Sequence, residues 1–277
     1  CNFTNLGVTY NNYVCANKHF VKSALARFTP QDIVKILQQY HIKYEERFNQ
    51  QMFSFDANEI VNMLLKRCLE KNVKIQTDCL VGSIIKENNL FEIETNFGCF
   101  VCDNLIIATG GISCSQLGST DFGYKIARQF GHKIINPRPA LVGFMAQPEI
   151  RDFCSDLTGV SVPVTIIIDK KKISRDLLFT HWGISGPAAL NASLYWLNGQ
   201  TFYIDFLNGK SFYGLLEKQS KKTIIQIMNN ILPTRLVKKI IGELDCNIDN
   251  LSNKNKQILN DKFTNFAFTP QKTMGFK

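Results

Sequence analysis

Nowhere does the sequence hold the ~18 to 20 consecutive apolar residues that a helix needs to cross a bilayer, and its first residues lack the basic, apolar and small-residue order of a secretory signal. A soluble, cytoplasmic protein without a membrane partner is the expectation. None of the 17 glycines is arranged as Gly-x-Gly-x-x-Gly, the turn that sets a dinucleotide pyrophosphate on a helix N-terminus, and no Walker P-loop occurs. Gly183-Ile184-Ser185-Gly186 lacks the Gly-x-Ser-x-Gly spacing of a hydrolase elbow, and no acid partner accompanies it, which disfavours a serine hydrolase. Cysteine is not scarce, but its nine residues are odd in number and scattered from Cys1 to Cys246, as suits reduced thiols rather than a disulfide framework. Cys99 and Cys102 have Cys-x-x-Cys spacing in a strand-like run, where residues three apart leave opposite faces, so no metal site is expected of them.

What is present fits two globular domains: 277 residues, 45% of them hydrophobic, against roughly 150 residues per domain. Charge is uneven. Residues 1–136 carry 14 Lys and Arg against 12 Asp and Glu, whereas residues 137–277 carry 18 against 11, so most of the net charge of +9 sits in the second half. A basic surface of this kind draws phosphate-rich partners or is a solvated lysine face. Lys170-Lys171-Lys172, Lys221-Lys222 and Lys238-Lys239 are the runs that would carry RNA affinity.

Thr29-Pro30-Gln31-Asp32 reads as a capped helix start, and Asp56-Ala57-Asn58-Glu59 as a second of capping-box form, followed by Ile60, Met63, Leu64, Cys68 and Leu69 as a core stripe. Val73 to Ile75, Leu80 to Ile85 and Phe91 to Thr95 read as strands. Leu105 to Ala108, apolar on both faces and ending at Thr109-Gly110-Gly111, reads as a central parallel strand. A helix is expected over Asp121 to Phe130. Beyond a boundary at Pro137-Arg138-Pro139, strands are expected over Val160–Val162, Val164–Ile168 and Phe202–Phe206, with a turn at Asp169–Lys172. Helices are expected over Gly186–Trp196, Lys221–Ile231, Thr234–Ile241 and Asn253–Phe263. His181, in a glycine-punctuated turn, reads as a structural histidine before a catalytic one.

Read in order, Cys1-Asn2-Phe3-Thr4-Asn5, Ala24-Leu25-Ala26-Arg27-Phe28, Ile107-Ala108-Thr109-Gly110-Gly111, Gly118-Ser119-Thr120, Pro137-Arg138-Pro139-Ala140-Leu141-Val142, Leu178 through Pro187 and Thr273-Met274-Gly275-Phe276 resemble the bacterial BaiN/RdsA-type NAD(P)/FAD-dependent oxidoreductases, also called the aminoacetone oxidase family. The resemblance implies an α/β fold: an incomplete Rossmann-like FAD-binding domain over residues 1–139, an inserted β-barrel-like and helical domain over 140–268, and the start of a return to the flavin domain over 269–277. It further implies that the glycine fingerprint would precede Cys1 and a second flavin-contacting segment would follow Lys277, a truncation at both ends in keeping with a first residue that is not methionine. The chain alone would then be inactive. Two departures stand out: Asp121 where the family has a glycine, which puts the local backbone in doubt, and Arg175-Asp176 where it has Gly-Glu.

The implied activity passes hydride from NAD(P)H through FAD to an unsaturated substrate, either uracil in ribosomal RNA, making dihydrouridine, or a small aminoketone or enone. A non-catalytic remnant acting as a binding module is the rival reading. Asn2, Thr4, Asn5, Val81, Thr109, Gly110 and Gly111 would approach the cofactor. Cys114, His181 and Cys1 are the proton donors to consider, with no ground in the sequence for choosing among them.

Overall fold

In the computed structural model, which describes every residue except Lys18, Lys218, Ser220 and Lys277, the chain divides into two compact units, residues 1–106 and 107–277. The first is built from short antiparallel sheets and three helices, α1 (Lys22–Arg27), α2 (Pro30–Gln39) and α3 (Ala57–Glu70). Thr29 caps α2 through a reciprocal box with Asp32, whose carboxylate takes bonds from the Thr29 backbone N–H and hydroxyl at 2.8 and 2.7 Å. Those bonds hold the Asp32 carboxyl below its ordinary pKa. Strands β1 (Asn2–Asn5), β2 (Tyr44–Arg47) and β3 (Gln51–Ser54) form one sheet in the order β1-β3-β2, and β4 (Val81–Glu87), β5 (Leu90–Thr95) and β6 (Gly98–Cys102) form the expected meander. Cys99 and Cys102 lie three apart in β6, opposite Glu94 and Phe91.

Three expectations fail in this region. Val73 to Ile75 has no strand partner among the described residues, and Leu105 to Ala108 is irregular chain rather than a parallel strand, with Ile106 85% exposed. Every ladder between described strands is antiparallel. A doubly apolar run needs a strand on each side and cover on both faces to become a central strand, and none of the described strands flanks this one. The α3 stripe is likewise only partly core: Met63 is buried against Leu37 and Ile42, while Leu64 and Leu69 are exposed.

The second unit carries the larger core. Strands β7 (Phe144–Ala146), β8 (Ser161–Ile168), β9 (Lys171–Thr180), β10 (Gly183–Ser185), β11 (Phe202–Asp205), β12 (Phe266–Phe268) and β13 (Pro270–Thr273) make one sheet in the order β12-β11-β8-β9-β10-β7-β13. Its edge strands β12 and β13 are consecutive in the chain, joined by Thr269 alone. No ladder pairs them, so where a barrel-like domain is expected the structure has a curled open sheet and no closed barrel. The curl brings Phe144 of β7 within 5.2 Å of Phe202 of β11, ring to ring, and Trp196 packs edge-on against Phe144 at 5.5 Å.

Helices α4 (Phe122–Gln129), α5 (Pro148–Asp156), α6 (Gly186–Ala192), α7 (Phe212–Leu216), α8 (Ile224–Met228), α9 (Thr234–Ile241) and α10 (Asn253–Thr264) complete the unit. Leu236, Val237, Ile240 and Ile241 of α9 and Leu259 and Phe263 of α10 join the buried strand residues in one cluster. Two helices are shorter than their apolar patterns suggest. After Ala192 the chain proceeds by turns to Trp196, and α8 begins only at its cap Thr223 and ends before Asn229-Asn230. Asp121, where the resemblance expects glycine, has φ −82° and pairs with Lys125 one turn on at 2.9 Å, so it needs no left-handed backbone.

At Gly183 the backbones of β7 and β10 approach so closely that a Cβ would stand 2.2 Å from the Phe144 carbonyl oxygen and 2.7 Å from the Ala146 nitrogen. Gly183→Ala should therefore destabilise the protein by at least about 2 kcal/mol, the upper part of the overpacking range. Gly199→Ala, at φ +81° with open space around it, should lose only about 1 kcal/mol. Denaturant unfolding of the two variants checks this, and equal losses would contradict it.

A second prediction concerns Cys154, fully buried in α5, where burial pushes the thiol from its ordinary 9.0 up to about 12. Between those values only the unfolded chain ionises, so its stability contribution is intact below pH 9.0 and falls as pH rises toward about 12. Cys154→Ala should lose stability less steeply over that window in parallel denaturant titrations.

Candidate active site

Three segments far apart in the chain meet at a cavity of 460 Å³ in the second unit. Arg138 to Gly143 supplies one wall, Trp182 and Ser185 of the turn and strand around β10 a second, and Met274 to Phe276 a third, with Ser113 and Leu190 completing the lining. These stretches carry the Pro-Arg-Pro, His-Trp-Gly and Met-Gly-Phe motifs. The volume lies within the range of small-molecule sites, ~300–1,000 Å³, and suits one ring system with its substituents.

Backbone constraints set the walls. The Ala146 N–H donates to the Trp182 carbonyl at 2.8 Å, and the Met274 N–H to the Gly143 carbonyl at 3.0 Å, which ties the two outer segments to the end of β7 and to the residue before it. A Cβ at Gly143 would stand 3.1 Å from the Trp182 ring and 2.9 Å from the Ile184 carbonyl oxygen, so glycine there lets the indole lie against the main chain. The Val142 N–H donates to the Ser193 hydroxyl at 3.1 Å. Leu141, beside it, is held at φ +56°, a left-handed conformation that a leucine adopts only when its surroundings impose it, and such residues cluster at functional sites.

Among the described residues the lining includes one cation, Arg138, and no carboxylate, with apolar side chains and one indole. A planar ring bearing carbonyl or phosphate oxygens matches that set: Trp182 offers a stacking surface and the guanidinium a forked donor. The O–H groups of the lining are those of Ser113 and Ser185, and Ser185 makes no capping bond to α6.

The residues proposed from sequence fall elsewhere. Asn2, Thr4 and Asn5 form β1, opposite Phe53, Met52 and Gln51. Asn5 spends both ends of its amide on the neighbouring loop, donating to the Asn49 carbonyl at 3.0 Å and accepting from the Gly7 N–H at 2.8 Å. Val81 opens β4 opposite Thr95. Thr109, Gly110 and Gly111 lie in the irregular stretch that leads through Ser115–Leu117 to α4. Gly110, at φ +75°, has no atom within 4 Å of where a Cβ would stand, and Gly123 leaves room for the Thr109 hydroxyl, 2.7 Å from its own Cβ position. The backbone at Gly110 is thus open to close approach, the property that a cofactor contact there requires. His181 and Cys114 are sequence neighbours of the lining residues Trp182 and Ser113 but do not line the cavity, while Cys1 bonds through its amino group to the Ser54 carbonyl at 2.8 Å. In the first unit a separate groove of 530 Å³ runs past Leu6, Val8 and Tyr10, where the Lys22 ammonium sits 4.1 Å from the Tyr10 ring.

Arg138 and Trp182 belong to motifs that were legible, yet their joint role was not, because 44 residues separate them and only the curl of the sheet brings them together. The available signal was an arginine between two prolines, the second of which restricts its backbone.

Comparison with known proteins gives a match of residues 1–275 to the family described as HI0933-like protein Rossmann domain. The Ribosomal RNA dihydrouridine synthase of Escherichia coli is 35% identical over 286 aligned residues, which span 100% of this chain and 72% of that protein. The protein of the same name from Haemophilus influenzae is 38% identical over 293, again 100% and 72%. A 3-dehydro-bile acid delta(4,6)-reductase of Clostridium scindens is 23% identical over 263, spanning 87% of this chain and 63% of its own length.

The lining chemistry should be visible in binding. Trp196 is buried, so quenching of tryptophan emission by a pyrimidine mononucleotide should report Trp182. Arg138→Gln should weaken that binding about tenfold, the loss of one charge-assisted bond, and a titration that Arg138→Gln leaves unchanged would contradict the assignment.

Proposed function

Because the chain belongs to the HI0933-like Rossmann-domain family, we propose that it is part of a flavin-dependent oxidoreductase that passes hydride from NAD(P)H through FAD to a uracil ring in ribosomal RNA, giving dihydrouridine. The observation that carries this reading is the cavity lining, one indole and one guanidinium with no carboxylate among the described residues, which suits a flat ring bearing carbonyl oxygens and attached to a phosphodiester. The two relatives named as ribosomal RNA dihydrouridine synthases, at 35% and 38% identity over the whole chain, support the same substrate class.

FAD, when bound, supplies the hydride chemistry. Gly110 is proposed to offer it open backbone, and Thr109, Gly111, Asn2, Thr4, Asn5 and Val81 are proposed as further contacts. The remaining work falls to the cavity. Reduction of a conjugated double bond adds hydride to one carbon and a proton to its neighbour, and charge gathers on the conjugated carbonyl oxygen in between. Arg138 is suited to hold that oxygen through two N–H donors, Trp182 to fix the plane of the ring, and the Ser113 and Ser185 hydroxyls to pass a proton from solvent.

A second reading, reduction of a small enone or aminoketone, draws on the apolar part of the same lining, Leu141, Val142, Leu190, Met274 and Phe276, and on the bile acid reductase among the relatives. Disrupting the gene in its host and mapping dihydrouridine in the host ribosomal RNA by mass spectrometry separates the two. Loss of the modified base is the expected result. Unchanged dihydrouridine would overturn the RNA reading and leave the small-molecule substrate in its place.

A further inference from the structure

The lysines of the second unit are not one field, since their positions in the fold give them different partners. Lys239 pairs with Asp156, and Arg235 donates to the Asp156 and Thr158 carbonyls of the same helix end. Lys262 donates to the Ile240 carbonyl at 3.2 Å. In the run Lys170-Lys171-Lys172 the strand alternation parts the two residues that belong to β9. Lys171 stands opposite Ile168, on the core side, with its ammonium 5.6 Å from the Tyr195 ring, whereas Lys172 stands opposite Ile167, on the outer side.

That outer side has a regular composition. Along β8, Val162, Val164, Ile166 and Ile168 point into the core, while Ser161, Pro163, Thr165 and Ile167 take the other face. Register places Ala267, Tyr203, Ile167 and Lys172 in one row across β12, β11, β8 and β9. Tyr203 is 40% exposed in that row, and Ala267 and Lys172 are exposed on either side. The adjoining row is polar and internally bonded: the Thr165 and Ser174 hydroxyls lie 2.8 Å apart, and the Thr165 hydroxyl donates to the Asn208 side-chain oxygen at 2.5 Å.

Three acids lie on or beside this face: Asp176, opposite Pro163 and exposed four residues along β9 from Lys172, and Asp205 and Asp169, both of which accept hydrogen bonds. Asp205 accepts the Leu207 and Gly209 N–H groups at 2.9 and 2.7 Å, and Asp169 accepts the Gln200 amide at 2.7 Å. The second bond also fixes the hairpin tip that carries Lys170. An exposed aromatic ring on a rigid sheet, with one lysine two strands along the same row and another at the adjoining hairpin tip, is an arrangement on which unpaired bases can stack while their phosphates are neutralised.

We propose that the outer face of this sheet is a single-stranded RNA platform, on which Tyr203 stacks an unpaired base and Lys170 and Lys172 hold the flanking phosphates. The proposal rests on the RNA reading of the cavity and adds to it a second contact region that would hold the strand flanking the target base. A folded duplex presents no free base face to Tyr203, so the platform selects loops over helices.

Fluorescence anisotropy of a labelled, unpaired ribosomal RNA loop against the full 277-residue chain tests it at several salt concentrations. Tyr203→Ala should weaken binding about tenfold and Tyr203→Phe should retain it, because stacking needs the ring and not the hydroxyl. Lys170→Gln with Lys172→Gln should flatten the slope of log affinity against log salt by about 1.4, at roughly 0.7 per phosphate contact. Lys254→Gln with Lys256→Gln on α10 removes the same charge and should leave the slope nearly unchanged. If the wild-type chain binds and the two lysine pairs behave alike, or Tyr203→Ala binds as before, the platform is wrong while the RNA reading stands. A wild-type chain that binds no RNA fails both. Equal attraction to phosphatidylglycerol vesicles, lost in the same variants, would show a general anionic-surface site and overturn the proposal.

Discussion

The close passage of main chain at Gly183 is the constraint on which the second unit depends. β10 is three residues long and lies between β7 and β9 only because no side chain stands between its backbone and the Phe144 carbonyl. Its neighbour Trp182 is thereby delivered to the cavity, and Gly143 on the facing strand receives the indole. Glycine costs conformational entropy on folding, and at these two positions it is retained where packing leaves no room for another residue. The sequence motif around Trp182 is thus a packing requirement first and a chemical one second.

From that wedge the rest of the sheet follows in order. β7 pairs on its far side with β13, which returns the Met274 to Phe276 segment to the same cavity, and Thr269 joins that strand to its predecessor β12 at the opposite edge. The curl that results turns Val162, Val164, Ile166, Ile168, Phe202 and Phe268 inward, and strand alternation leaves Ile167, Tyr203 and Lys172 outward. One geometry thus makes both a cavity sized for a ring and an outer face suited to a strand of unpaired bases.

Local signals were legible where their partners are local. The Thr29 cap of α2, the Asp169 turn between β8 and β9, and the helices at Thr234 and Asn253 depend on residues within a few positions, and the structure has them where the sequence places them. The reciprocal capping box, however, forms at Thr29–Asp32 and not at Asp56–Glu59, where Asp56 caps alone. Leu105 to Ala108 and the α3 stripe were misread for the opposite reason. An apolar pattern states that side chains favour burial but not what buries them, and here Ile106, Leu64 and Leu69 face solvent among the described residues. The family motifs were readable one at a time, yet the grouping of Arg138 with Trp182 and Phe276 is a property of sheet order, which no local spacing encodes.

Photo-crosslinking with a ribosomal RNA fragment carrying 5-iodouridine reads the central claim most directly, since the reactive base marks whichever aromatic residue it stacks on. The account predicts crosslinked peptides containing Trp182 from the cavity and Tyr203 from the outer sheet face, with the first lost when uridine monophosphate competes. Crosslinks confined to residues 1–106, or spread evenly over exposed aromatic residues, would contradict it.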